Sequence, residues 1–576
     1  MILTYKTKNM KPALIYYEEN VFSQLDYFQN IRLATSGRTV DERFYLTFND
    51  LSESYKKEGV TAIFIMNTLS DNAIELQGLQ MAHYIRIITR GEGVGKLPIF
   101  LIGSENITEL LRLSDYSSIL QTPAVELLSY SKEKVKNVID NIQSYKHLEN
   151  YEAYLEKTHI PQPNNYLSHH SITSEWSLYQ WSTCLNIKPA IANHIERNLY
   201  YRYVISQHPE SDVKVTIDYP PYSSESGSEK KRILIIDDEA DKGWGELYKA
   251  LFSHYSNIEV NTLKGFDYAS DTKATLLQKV KEAIEERPFE PYHLVLLDIR
   301  LLQDDFKKKT DFSSFDVINV LQTLDKGIQI IIVTASNKAW NLQYALNRNV
   351  FAYITKESIF DKSCSKEKLE ELLKQSVDAI SKSRFLKQVA KNEKQILDRL
   401  NDKTSTISVP IRERMLYNIK EQIEIAWVML TNYRFDERYL RYAYLSYYQI
   451  LELFAETSTG MYIKIKNKKD IYCEDTKGKD INCSEQLKMI YDNIWNGNLI
   501  QQTQGSRTEK ELELGSYARI GSWMFARTTN RHFMTLLELN STRNNNTHGG
   551  SSTPNIDLEK RLLKMMALII DFMDNA

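Results

Sequence analysis

The chain has 576 residues, room for about three or four domains at the usual ~100–200 residues each. Its 42% hydrophobic and 26% charged content excludes general disorder and predicts several folded cores. With 72 basic against 75 acidic residues the formal net charge is −3, so any contact with nucleic acid has to use a local patch.

The start, "MILTYKTKNMKPALIYYEEN", lacks a basic segment followed by an apolar core and a cleavage site, and no run reaches the ~18 apolar residues of a membrane span. The expected location is the cytoplasm, without a membrane partner. In residues 1–145, "PALIYYEEN", "TAIFIMN", "LPIFLIGS" and "SSILQTP" read as strands, with helical segments such as "KEKVKNVIDNIQSY" between or after them. This is the rhythm of an α/β domain, a diverged copy of a clearer one further on. Residues 146–230 read as a helical connector and a flexible linker. The aromatic residues of "SEWSLYQWSTCLNI" are taken as core, and "PPYSSESGSEKK" marks the boundary.

Over residues 231–382 the runs "RILIID", "YHLVLLD" and "QIIIVTAS" are continuous and apolar, as in a parallel sheet covered on both faces. Asp237 and Asp238 follow the first run and Asp298 ends the second. The carboxyl ends of parallel strands meet at one edge, so the three acids are expected in one crevice. Crowded carboxylates need a cation, and oxygen ligands suit Mg²⁺. Thr334 offers a hydroxyl and Lys356 a positive charge to a phosphoryl oxygen.

Together these residues resemble the receiver domain of two-component response regulators. The resemblance implies a doubly wound, flavodoxin-like α/β fold with Asp298 as phosphoacceptor. Asp237, Asp238, Asp298 and the backbone carbonyl of Arg300 would hold Mg²⁺; Thr334 and Lys356 would coordinate the phosphoryl group, and Tyr353 would switch with Thr334. A histidine kinase or phosphotransfer protein is the implied partner. Two features depart from the family: Glu357 stands where proline is usual, and the loop "RLLQDDFKKKTDFSSFD" is long. In the N-terminal copy Asn67 takes the acceptor place and Thr122 the lysine place. An amide cannot form an acyl phosphate, so residues 1–145 read as a pseudo-receiver for docking or dimerisation, with Glu18 and Glu19 as a vestigial metal site.

Residues 383–412 read as a linker helix and 413–576 as a helical domain, with "IKIKNKKDIYCEDTKGKDINCSEQ" as an exposed, charged insertion. The four cysteines lack zinc-site spacing. Near the end, "ELNSTRNNNTHGG" places Arg543, Asn544 and His548 between two apolar helices. This resembles the R-N-x-x-x-H motif of HEPN domains, an all-α family that includes metal-independent ribonucleases. The resemblance implies a homodimer that pools Arg543, Asn544 and His548 from each chain to cleave RNA, needing no metal there. Arg527 and His532 share the spacing but lack the asparagine and the glycines. On an unbroken helix Arg543 and His548 would stand ~140° apart, so either the asparagine run breaks or tilts the helix or two chains combine their motifs. The expectation is a receiver-controlled HEPN ribonuclease, a stress or phage-defence effector. The alternative is a non-catalytic response regulator or phosphate sink whose helical domain binds RNA, nucleotide or protein.

Overall fold

The computed structural model describes residues 11–575, apart from 164–168, 208–215, 223–229, 308–311, 337–341, 360–364, 402–408, 467–469, 476–479, 483–509, 514–530, 548–554 and isolated positions. The chain divides into two compact units. One comprises Met1–Asp218, Glu239–Leu251 and Thr355–Glu370; the other comprises Tyr219–Asp238, Phe252–Ile354 and Glu371–Ala576.

In the first unit β1 (Ala13–Tyr16), β2 (Gln29–Arg32), β3 (Ile63–Met66), β4 (Ile99–Gly103) and β5 (Val125–Ser129) form a parallel sheet in the order β2-β1-β3-β4-β5. Helices Val40–Glu58, Gln77–Ile88, Ile107–Leu113 and Lys132–Asp140 flank it. The first of these starts where Thr39 and Glu42 form a reciprocal capping box and stops at Gly59, whose φ of 69° a side chain would resist. Leu14, Phe64, Phe100 and Ile102 make the core with Val135 and Val138. No helix joins β1 to β2. Instead the Asn20 side chain accepts bonds from the amides of Phe22 and Ser23 at 2.9 and 3.1 Å, and the loop tucks Phe22 into the core. The segment "SSILQTP", expected as a strand, lies mainly in a 3-10 helix, Asp115–Gln121, because Ser114 caps its start through the Tyr116 amide.

The connector supplies helices His169–Cys184, Ala192–Arg197 and Leu199–Gln207 to this unit. Trp176, Trp181 and Tyr201 are buried, so its aromatic residues do serve as core. The Asp41 carboxylate accepts from Asn198 Nδ2 at 2.9 Å, tying the connector to the helix Val40–Glu58.

The central sheet has β6 (Lys231–Ile236), β7 (Ile258–Thr262), β8 (Leu294–Leu297), β9 (Gln329–Thr334) and β10 (Ala352–Thr355), in the order β10-β9-β8-β6-β7. The pairs β6/β7, β6/β8 and β8/β9 are parallel. Both five-stranded sheets thus have the 2-1-3-4-5 order of flavodoxin-like folds. β6 is buried along its whole length, as its unbroken apolar run requires.

The rest of the second unit is mostly helical. One helix of 37 residues, Ser365–Asn401, runs across residue 382, the expected end of the receiver region. Its Phe385, Leu386, Val389, Ile396 and Leu400 join a core with residues of Val409–Asn432, Arg438–Ser458, Arg531–Thr547 and Asn555–Asn575. The expected all-α domain is not all-α. β11 (Thr459–Lys466), β12 (Asp470–Asp475), β13 (Asp480–Asn482) and β14 (Lys510–Glu513) form an antiparallel sheet ordered β13-β12-β11-β14. The stretch taken as an exposed insertion therefore supplies strands. Its lysines obscured the alternation in "MYIKIK", which has the two-residue period of a strand. No described helix is long and apolar enough to cross a membrane.

Candidate functional site

The carboxyl ends of β6 and β8 bring Asp237, Asp238 and Asp298 together, with one oxygen of each within 4.8 Å of the others. Register explains this placement. Ile236 pairs with Leu297, so the residues that follow, Asp237 and Asp298, stand level at the sheet edge. Asp237 and Asp298 are buried and Asp238 is half-buried. Asp298 Oδ1 accepts from the Ile299 amide at 2.5 Å and the Arg300 amide at 3.4 Å. Unit charges at this spacing repel by roughly 3 kcal/mol per pair at an effective dielectric of about 20. An all-oxygen donor set of this kind fits a hard divalent cation such as Mg²⁺.

Thr334 ends β9, fully buried, and its Oγ1 accepts from the Ser336 amide at 3.3 Å. The Tyr353 hydroxyl donates to the Ser336 carbonyl at 2.8 Å, linking the segment after β9 to β10. Burial, then the charge of Asp298, pushes the Tyr353 phenol above its ordinary range, so it stays a neutral donor. Burial pulls the Arg300 guanidinium down against the opposing charges of Asp298, Asp305 and Asp238. Lys356, directly after β10, belongs to the first unit. There its Nζ donates to Ser174 Oγ at 3.1 Å and lies 4.1 Å from the Trp244 ring centroid.

Sequence reasoning missed Asp305. Its buried carboxylate accepts from the amides of Leu301, Leu302 and Ser313 at 3.1, 3.1 and 3.0 Å, and from the Ser313 hydroxyl at 2.5 Å. It organises the long loop after Asp298. Nothing in "QDDF" distinguishes it from Asp304, because the bonds that single it out come from residues on both sides.

The N-terminal sheet repeats the geometry without the chemistry. Ile15 pairs with Ile65, so Tyr17 stands level with Asn67 as Asp237 does with Asp298, and Glu18 takes the place of Asp238. Asn67 is buried and donates through Nδ2 to Glu105 at 3.1 Å. Among the described residues no group of three metal-ligating side chains includes Glu18 or Glu19. Thr122 is not in the lysine place. It precedes β5, its hydroxyl donating to the Ile119 carbonyl at 2.6 Å, and the residue that follows β5 is Tyr130. Residues 14–128 match the family described as inactive receiver domain.

The chain carries a receiver-type domain. The inactive match agrees with an amide in the acceptor place of the N-terminal pseudo-receiver. Among solved structures, a response regulator receiver domain protein (CheY-like) from Methanospirillum hungatei JF-1 is similar at 23% identity. The match covers 27% of this chain and 98% of that one, with a TM-score of 0.18. No curated protein matches.

In the C-terminal helices Arg543 is half-buried, 3.7 Å from the Glu452 carboxylate and 6.0 Å from the Tyr448 ring centroid, and it donates to Asn544 Oδ1 at 3.2 Å. A break at the asparagine run, one of the alternatives, is not seen among the described residues: the helix Arg531–Thr547 continues through Asn544 and Asn546. Buried Leu536, Leu539 and Thr542 hold it to the bundle, and Arg561 donates to the Thr542 hydroxyl. His548 lies outside the described residues, as do Arg527 and the side chain of His532.

Proposed function

We propose that the chain is a response regulator in which a histidine kinase or phosphotransfer protein phosphorylates Asp298 and the receiver controls a HEPN-type ribonuclease. The meeting of Asp237, Asp238 and Asp298 carries this reading. A carboxylate oxygen of Asp298 attacks the phosphorus of the donor; the new O–P bond replaces the donor's P–N bond, and its electron pair leaves with the imidazole, which takes a proton. Mg²⁺ bound by Asp237, Asp238, Asp298 and the Arg300 carbonyl would supply positive charge to the phosphoryl oxygens. Thr334 donates its hydroxyl to one of those oxygens and Lys356 pairs with another. Tyr353, bonded to the Ser336 carbonyl, senses the movement of Thr334.

In the C-terminal domain His548 takes the proton of a ribose 2′-hydroxyl, whose oxygen bonds to the adjacent phosphorus as the P–O5′ bond breaks and the departing O5′ takes up a proton. The products are a 2′,3′-cyclic phosphate and a 5′-hydroxyl. Arg543 stabilises the phosphorane and Asn544 orients it. The unbroken helix up to Thr547 favours a homodimer that combines two motifs. A ribonuclease held in check by a receiver suits a stress or phage-defence effector. The second reading, a non-catalytic regulator that binds RNA, nucleotide or protein, is favoured by the ion pair of Arg543 with Glu452, which already compensates the arginine.

RNA cleavage by purified protein, with and without a small phosphodonor and Mg²⁺, tests both. Cleavage lost in Arg543→Ala and His548→Ala supports the ribonuclease. No cleavage under any condition, with phosphate taken up on Asp298, supports the non-catalytic regulator.

A further inference from the structure

Within the second compact unit a cleft of about 70 Å³ opens at the edge of the central sheet opposite the acids. Asp237 and Asp298 follow the carboxyl ends of their strands, whereas Gln329, which lines the cleft, is the first residue of β9. Three helices complete the walls. Gln322 comes from the helix Ser313–Leu324, Lys382 from Ser365–Asn401 and Trp427 from Val409–Asn432. Lys326, in the turn before β9, is exposed, and its ammonium lies 5.4 Å from the centroid of the half-buried Trp427 ring.

The lining has the chemistry of an anion site. Among the described residues no aspartate or glutamate lines it, while two lysines do. Gln322 and Gln329 each commit one amide N–H to a carbonyl, of Arg348 at 2.6 Å and of Gly327 at 2.9 Å, and a primary amide has a second. Asn349 brings a third amide to the rim from a left-handed turn with φ of 56°. The two lysines differ in their surroundings. The Lys382 ammonium lies 3.1 Å from the Tyr433 ring centroid, and burial pulls its pKa down against the charges of Glu559, Asp378 and Glu437. Lys326 is therefore the better placed to meet a ligand arriving from solvent, with Lys382 adding positive charge behind it. At ~10–15 Å³ for each water the cleft has room for about five, comparable with the heavy atoms of a phosphate group.

We propose that this cleft binds a phosphate group, either inorganic phosphate or the phosphate of a small ester such as a nucleoside monophosphate. Lys326 pairs with a phosphate oxygen, and the amides of Gln322, Gln329 and Asn349 donate to the others. In an ester the remainder of the molecule lies over the Trp427 indole. Because the walls come from the central sheet, the long helix and a bundle helix, a bound phosphate favours the packed arrangement of all three and stabilises this unit. Neither Asp298 nor Arg543 takes part, so the site is a second input, independent of phosphorylation.

The test titrates the full chain, in chelator so that no divalent cation draws phosphate to the acids, with inorganic phosphate and separately with AMP. Tryptophan emission and the thermal midpoint are followed. Both are expected to change saturably, and Lys326→Met is expected to weaken binding about tenfold, the effect of losing one hydrogen bond from a charged group. Its midpoint without ligand stays close to wild type because the side chain is exposed. Lys326→Arg keeps the charge and retains binding. Trp427→Phe loses the emission change but keeps the rise in midpoint with phosphate. Equal affinity for the two probes assigns the site to the phosphate group alone; tighter binding of AMP, reduced to the phosphate level in Trp427→Phe, assigns it to an ester stacked on the indole. No saturable response to either probe at millimolar concentration, a response unchanged in Lys326→Met, or one lost in Arg543→Ala instead, overturns the proposal and leaves the receiver reading in place.

Discussion

Glu393 sits on the helix Ser365–Asn401, 3% exposed, where its carboxylate accepts from the Tyr447 hydroxyl. Burial pushes its pKa up to about 7, against smaller opposing effects of that bond and of the Lys326 charge. A carboxyl whose pKa is raised on folding binds more protons folded than unfolded, so stability falls as pH rises from the unfolded pKa through about 7 and then levels off. Glu393→Gln is expected to remove this slope and to leave the variant about 2 kcal/mol more stable than wild type at pH 8, with little difference at pH 4. Urea unfolding of the two proteins at both pH values measures it. The carboxylates at the sheet edge are expected to respond to a cation instead. Mg²⁺ that binds only the folded state raises the thermal midpoint, and Asp298→Asn in Mg²⁺-free buffer is expected to raise it too, by relieving repulsion. A midpoint that chelator and Asp298→Asn both leave unchanged would count against a cation site there.

At the scale of elements, Gly327 shows how the central sheet meets the long helix. A Cβ at this position would stand 2.6 Å from the Lys387 amide nitrogen and 2.7 Å from its Cα. Ser383 Oγ donates to the Gly327 carbonyl at 2.9 Å, and Lys387 pairs with Asp325 in the same turn. Gly327→Ala therefore has to push helix backbone aside, and a loss of about 2 kcal/mol is expected in denaturant unfolding. Ser383→Ala, which leaves that space intact, should cost about 1 kcal/mol. Because the helix that receives these contacts continues into the bundle core at Val389, Ile396 and Leu400, a shift where it meets the central sheet has a rigid route to the C-terminal helices.

For the whole molecule, the proposed control predicts that Asp298→Ala retains RNA cleavage but loses its response to phosphodonor. Cleavage that responds equally in both proteins would separate the ribonuclease from its receiver. The parallel sheets and the acidic edge were legible because their signals are local: an unbroken apolar run marks a buried strand, and an acid that ends it stands at the sheet's carboxyl edge. Asn67 was legible for the same reason, and the match of residues 14–128 to inactive receivers agrees with it. Thr122 was misplaced because a short 3-10 helix and a strand look alike in "SSILQTP".

What the sequence by itself determined is the set of groups available for chemistry: Asp237, Asp238 and Asp298 at strand ends, an amide in place of an acid at Asn67, and a hydroxyl and an ammonium at Thr334 and Lys356. Only the tertiary structure decided how those groups are held. Ser174 meets Lys356 across 182 positions of chain, Ser177 meets Glu357 across 180, and Asp305 gathers amides from both ends of its loop. Likewise the helix Ser365–Asn401 continues past residue 382 because the bundle core accepts its apolar face. Hydrogen bonds and packing between distant segments depend on where the folded chain brings them, and a local pattern of residue types does not carry that information.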